Sequence, residues 1–181
     1  MSKQIEIEHR SRFTEKKYKE LLSFLKENGE YLGKDDKNVY FFTLPDKLLK
    51  VTDNISKGTA KITVKTSKIG QGSDFEEVEF FISPQDAEKA VHLFKILGFT
   101  KIHSSFQKRE NFRYKEVEIS VKYSDVWGYH AEFELMVNSV DKKEEADRKI
   151  KEVARGLGVD LMSEEELQDF ISKKEKQIFK N

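Results

Sequence analysis

Apolar and charged residues alternate one by one near the start of the chain: Ile5 and Ile7 interleave with Glu6, Glu8 and Arg10. Period-2 alternation is the mark of a strand with one face for a core and one for something polar. The pattern returns in 38–43 (NVYFFT) and 48–52 (LLKVT), set around a turn at Pro45-Asp46, and in 60–66 (AKITVKT). After a turn at Gly70-Gln71-Gly72 it returns in 75–82 (FEEVEFFI), and then in 104–114, 116–123 and 129–137. Helical spacing replaces it in four places. Thr14 caps a first helix with Tyr18, Leu21, Leu22 and Leu25 on one face and Gly29 as its stop. Ser83-Pro84 starts a second, whose apolar positions are Ala87, Ala90, Val91, Phe94 and Leu97, closed by Gly98. Ala146, Ile150, Val153, Ala154 and Leu157 line a third that ends near Gly158, and Ser163 with Glu166 forms the capping box of a fourth. Strands, a helix, more strands and then helices describe an α+β fold with antiparallel pairing.

The polar faces of the strands are more charged than a solvated sheet face requires. Side by side they read Glu6/Glu8/Arg10, Lys50/Thr52, Lys61/Thr63/Lys65, Glu77/Glu79, Gln107/Arg109, Glu118/Ser120/Lys122 and His130/Glu132/Glu134. Taken singly, each is a solvated strand. Together, like charges two residues apart on one face, as in Glu6/Glu8 and Glu132/Glu134, point to a counter-ion held between strands. Helices covering the apolar faces would turn the charged faces toward each other if the sheet curls closed, and such a lumen needs water and compensation. A ligand of many negative charges with divalent cations supplies both signs: carboxylates hold hard metal ions, and Lys and Arg hold phosphate oxygens. A polyphosphate fits that description.

Composition narrows the setting. The 181 residues suit one domain, 1–181, and 33 basic residues balance 33 acidic ones, so no basic excess points to nucleic acid. The absence of cysteine excludes a disulfide framework, a thiolate metal site and a cysteine nucleophile. No apolar run has the length of a membrane span, so a cytoplasmic protein, monomer or homodimer, with no membrane partner is the expectation. Gly70-Gln71-Gly72 lacks the following Lys-Ser/Thr of a phosphate loop and reads as a turn. His9 and His103 read as surface residues, and Trp127 as packed at the mouth of the lumen. His130, on the face of Glu132 and Glu134, is either a group beside a metal or a hydrogen-bonded strand histidine.

Glu6-Ile7-Glu8-His9-Arg10 resembles the Glu-x-Glu-x-Lys signature of the CYTH superfamily, the triphosphate tunnel metalloenzymes. The likeness continues in order through the aromatic Tyr40, the basic Lys50, Lys65 at the close of its strand, the acidic pair Glu77/Glu79, the helix end Leu97-Gly98-Phe99, Arg109, Gly128 and Glu132-Phe133-Glu134. One Glu-x-Glu is a weak signal; the ordered set around one helix is specific. That family includes class IV adenylate cyclases, thiamine triphosphatases and inorganic triphosphatases. The resemblance implies an eight-stranded antiparallel closed β-barrel, a tunnel with helices packed outside, that binds a small-molecule triphosphate with Mg²⁺ or Mn²⁺. It implies metal ligation by Glu6, Glu8, Glu132 and Glu134, and phosphate binding by Arg10, Lys50, Lys65, Arg109 and Lys122, with Glu6, Glu8, Arg10 and Lys65 serving catalysis.

Four positions depart from the family pattern. Arg10 stands for the signature lysine, Thr52 for a frequent arginine, Gln107 for a frequent lysine, and Lys122 for the usual aspartate. A lysine cannot coordinate a metal, so Lys122 would bind a phosphate oxygen or pair with a neighbouring glutamate. The expectation is a divalent-cation-dependent enzyme that cleaves a triphosphate compound (a nucleotide, thiamine triphosphate or inorganic triphosphate). Attack by water makes it a triphosphatase; attack by a ribose 3′-hydroxyl makes it an adenylate cyclase producing cyclic AMP. The alternative to catalysis is a polyphosphate or nucleotide binder, toward which Lys122 and Gln107 weigh.

Overall fold

The structure, a computed structural model, describes residues 5–44, 47–65 and 77–178. In chain order its elements are β1 (Ile5–Arg12), α1 (Glu15–Asn28), β2 (Glu30–Lys34), β3 (Lys37–Thr43), β4 (Leu48–Asn54), β5 (Thr59–Lys65) and β6 (Glu77–Ile82). There follow a 3-10 turn at Pro84–Asp86, α2 (Ala87–Ile96), β7 (Ile102–Tyr114), β8 (Val117–Ser124), β9 (Gly128–Val137), a second 3-10 turn at Val140–Lys142, α3 (Lys143–Gly156) and α4 (Glu164–Ile178). Every strand pair with a described register is antiparallel, and with the four helices this is the expected α+β class. The expected turns at Pro45-Asp46 and Gly70-Gln71-Gly72 lie outside the described residues. Among the described residues no ladder pairs β1 with β6, so an antiparallel sheet is what the structure shows and closure into a barrel is not.

The chain divides into two compact units, each discontinuous in sequence: residues 1–34 with 109–167, and residues 35–108 with 168–181. In the first, β1 pairs with β9 and β9 with β8, while β2 pairs with the C-terminal half of β7. The apolar faces of these strands, carrying Phe112, Val117, Ile119, Val121, Ala131 and Phe133, pack on Leu21 and Leu25 of α1 and on Ile150, Val153 and Ala154 of α3. Both helices begin and end where their chemistry dictates. Thr14 Oγ1 accepts from the Lys17 amide at 3.3 Å, and the chain leaves α3 through Gly158 at φ +61°. The Ser163/Glu166 capping box is formed, with Glu166 Oε2 2.7 Å from the Ser163 amide and Ser163 Oγ 3.1 Å from the Glu166 amide.

In the second unit β3 pairs with the N-terminal half of β7 and with β4, and β5 lies between β4 and β6. Phe42, Leu49, Val51 and Ala60 form its core against Ala87 and Val91 of α2. Leu97, expected on that face, is 61 % exposed. The helix ends one residue earlier, at Ile96, so Leu97 is its C-cap rather than a member of the packed face, and Gly98 at φ +91° follows it. The short β2 has no alternation to announce it and is added by pairing alone.

The β7–β8 hairpin turns on Lys115 and Glu116, which carry φ of +48° and +69°. Two side-chain-bearing residues in the left-handed region cost about 1–2 kcal/mol each. Glu116→Gly is therefore expected to raise stability by about 1 kcal/mol, measured by urea denaturation. The ion pair it removes, Glu116 with Lys149, is exposed and worth little.

Candidate functional site

Strand register gathers the charges of the first unit into cross-strand rows. Glu8 lies opposite Glu134, which on its other side faces Glu118; Arg10 lies opposite Glu132, which faces Ser120; Arg12 lies opposite His130, which faces Lys122. Directly opposed residues share a sheet face, and the other face is the one packed on α1 and α3. On the polar face Ser120, Lys122 and His130 are buried, whereas Glu6, Arg12 and Glu118 are exposed.

Within it the two signs separate. On one side, Glu6, Glu8 and Glu134 bring a carboxylate oxygen each to within 4.8 Å of one another. On the other, three cations converge on Glu132. The Lys122 ammonium donates to its Oε2, Arg10 Nε lies 3.3 Å from its Oε1, and Arg109 Nη1 lies 3.9 Å from its Oε2. Arg10 stands at the boundary, with Nε also 2.5 Å from Glu8 Oε1, yet among the described residues no acceptor is aligned with that buried N–H. Arg109 is steadied by Asn111, whose Oδ1 accepts from Arg109 Nε at 2.6 Å and from Ser120 Oγ at 2.9 Å.

The protonation behaviour follows this division. Burial, with Glu132 nearby, pushes the carboxyls of Glu8 and Glu134 up to about 7. Burial works in the same sense on Glu132, but Lys122, Arg10 and Arg109 together hold its carboxyl well below the usual range. Burial and the neighbouring Lys122 leave His130 neutral, its value pulled down to about 4, with Nδ1 2.9 Å from the Gly128 carbonyl oxygen. It is a hydrogen-bonded strand histidine. The donor set of the trio suits a hard divalent cation: three carboxylates in mutual reach, two of them holding protons near neutrality because burial and the neighbouring Glu132 outweigh the cations beside them.

Of the nine residues expected at the site, Glu6, Glu8, Arg10, Arg109, Lys122, Glu132 and Glu134 belong to this unit. Lys50 and Lys65 belong to the second. There a row of Phe41, Lys50, Thr63 and Glu79 crosses β3 to β6, and Lys65 pairs with Leu48 and Glu77 along the backbone. Lys61 pairs with Glu79, which also accepts from Thr63 Oγ1 at 3.2 Å. Thr63, Thr52 and Ser105 on that face are buried, whereas Glu79 and Phe81 at the β6 edge are exposed.

Asn111 is a partner that the sequence pattern does not single out, although it lies two residues from Arg109 on the same strand face. Trp127 sits with its ring centre 5.6 Å from the Arg10 guanidinium and 5.3 Å from the His130 ring, and its carbonyl accepts from Arg12. His9, expected at the surface, is half-buried with Nε2 2.6 Å from Asp147 Oδ1 of α3, because its strand face is the one the helix covers.

Residues 4–166 match the CYTH domain family, and the chain belongs to it. A Methanocaldococcus jannaschii protein named "Putative adenylate cyclase" is 26% identical over 148 residues, covering 82% of this chain and 77% of its own. A solved structure from Pyrococcus horikoshii is 28% identical, covering 90% of this chain and 93% of its own at a TM-score of 0.69. A Hippeastrum protein described as having a dominant triphosphatase activity is 15% identical, covers 88% of this chain and 90% of its own at a TM-score of 0.64, and is alike in fold. No helix among the described residues is long and apolar enough to cross a membrane.

Proposed function

We propose that this protein is a divalent-cation-dependent enzyme that cleaves a small-molecule triphosphate. The observation that carries the reading is the separation of charge on one buried sheet face, with three carboxylates within 4.8 Å of one another beside three cations gathered on one glutamate. Family membership and the name of the M. jannaschii relative point the same way. In this reading the whole chain is one domain, and Lys50 and Lys65 of the second unit are further phosphate-binding groups.

Glu6, Glu8 and Glu134 would hold Mg²⁺ or Mn²⁺, which supplies Lewis-acid polarisation of a phosphoryl oxygen when bound. Arg10, Arg109 and Lys122 bind phosphate oxygens and neutralise charge that builds on them as the phosphoryl group transfers. Arg10, unlike the signature lysine, forks onto two oxygens and stays protonated throughout. Trp127 holds its guanidinium plane in place from the β8–β9 turn. Burial of the face excludes water except where the ligand admits it.

The test is incubation of pure protein with ATP, thiamine triphosphate and inorganic triphosphate, with and without Mg²⁺ or Mn²⁺, with product identification. Metal-dependent release of phosphate or pyrophosphate is expected. Cyclic AMP with pyrophosphate from ATP would make the protein a cyclase, and phosphate release would make it a triphosphatase. No turnover with any of the three would remove the enzyme reading and leave a binder.

A further inference from the structure

Glu132 lies on the same strand face as Glu134, two residues away, but outside the carboxylate trio. Its two oxygens are both taken: Oε2 by the Lys122 ammonium with Arg109 behind it, and Oε1 by Arg10. The side chain of Lys122 is 7 % exposed and that of Glu132 is 14 % exposed, so no water stands ready to replace either partner. Drawing Glu132 toward a metal ion would strand a buried ammonium, and separating such a pair is strongly unfavourable. A fixed cation at that place also repels a divalent ion, more strongly as the surroundings dry.

We infer that Lys122 is a positioning residue that holds the Glu132 carboxylate among the cations and off the metal. The divalent site then consists of Glu6, Glu8 and Glu134 and takes one ion, while Glu132 organises Arg10, Lys122 and Arg109 as a preassembled row for phosphate. The inference rests on the proposed function, because it needs the trio to bind metal. It specifies how that site divides its carboxylates between two tasks.

The experiment is titration of the protein with Mn²⁺ alone, followed by electron paramagnetic resonance of bound Mn²⁺ and by calorimetry, with circular dichroism of each variant. Wild-type protein is expected to bind one ion per chain. Glu134→Gln should weaken it at least about tenfold, whereas Glu132→Gln should leave affinity within about threefold. Lys122→Gln removes the nearest of the three cations on Glu132 and should strengthen Mn²⁺ binding about tenfold or admit a second ion, and Lys122→Arg should restore the wild-type response. A purely structural lysine would not move the stoichiometry. Two ions in the wild-type protein, a measurement that needs no folded variant, would overturn the inference. So would a loss on Glu132→Gln as large as on Glu134→Gln, which would leave the metal-dependent reading standing. Wild-type protein that binds no Mn²⁺ would remove the metal-dependent reading itself, and the inference with it.

Discussion

Replacing Arg10 with methionine is expected to weaken triphosphate binding about a hundredfold and to destabilise the fold by about 3–5 kcal/mol. The side chain is 19 % exposed and its Nε lies between Glu8 and Glu132, at 2.5 and 3.3 Å. Methionine keeps the unbranched apolar stem without the guanidinium and leaves both carboxylates facing one fewer cation in a buried setting. Ligand affinity falls for a separate reason: the forked donor at the boundary between the carboxylates and the cation row is gone. Arg10→Lys separates these effects, because it keeps the charge and loses the fork, so most of the stability should return with less of the affinity. Calorimetric titration with inorganic triphosphate and urea denaturation measure the two. Trp127 is the only tryptophan, and its stacking on Arg10 makes its fluorescence a reporter of ligand arrival. Equal affinity in wild type and Arg10→Met would place Arg10 outside the binding site.

Metal affinity is expected to rise steeply with pH up to about neutrality. Glu8 and Glu134 hold their protons up to about 7, through burial and through Glu132 nearby, and a divalent ion binds their ionised forms. Binding therefore releases between one and two protons in slightly acid solution, so the Mn²⁺ affinity should climb about ten- to a hundredfold per pH unit below about 6.5 and flatten above about 8. A flat profile from pH 5.5 to 8 would remove these two glutamates from the metal site.

The metal-free protein should show the matching stability change. Between pH 4.5 and 7 the unfolded chain gives up these two protons while the folded chain keeps them, so the two carboxyls make stability fall as pH rises through that window. His130 acts in the opposite sense from 6.5 down to about 4, since the unfolded chain takes up a proton that the buried ring refuses. Glu132, held ionised by its cations, adds stability that is lost only as pH falls below its ordinary 4.5. Mn²⁺ binds the folded chain in place of the protons, so the rise in melting temperature it produces should be larger at pH 8 than at pH 6.

Much of this site is legible in the alternation of β1 and β9. Because side chains of a strand point to opposite faces with period 2, the shared face of Glu6, Glu8 and Arg10, and of His130, Glu132 and Glu134, follows from local geometry. Caps at Thr14, Ser163 and Glu166 are local too, and they were placed correctly. Errors fell where a residue depends on something distant. Helical spacing puts Leu97 in the core, but the helix ends at Ile96 and leaves Leu97 exposed as its C-cap. His9 reads as a surface residue in the sequence, but α3, more than a hundred residues later, brings Asp147 over it.

By itself, then, the sequence determined the α+β class, the helices, eight of the nine described strands, the faces on which the charges lie, and the ordered motif that marks the CYTH family. Those are consequences of backbone periodicity and of residues that cap or turn the chain. The division of labour among the glutamates was decided only in three dimensions. Glu132 and Glu134 are equivalent in the sequence, two alternating acids on one strand. Pairing of β1 with β9 sets Glu8 against Glu134 and Arg10 against Glu132, and pairing of β9 with β8 brings up Lys122. Cross-strand register joins residues more than a hundred positions apart, and a shift of one residue would turn the charged side chains of the slipped strand to the other face. Electrostatics acts through those distances and through burial, neither of which a linear pattern contains.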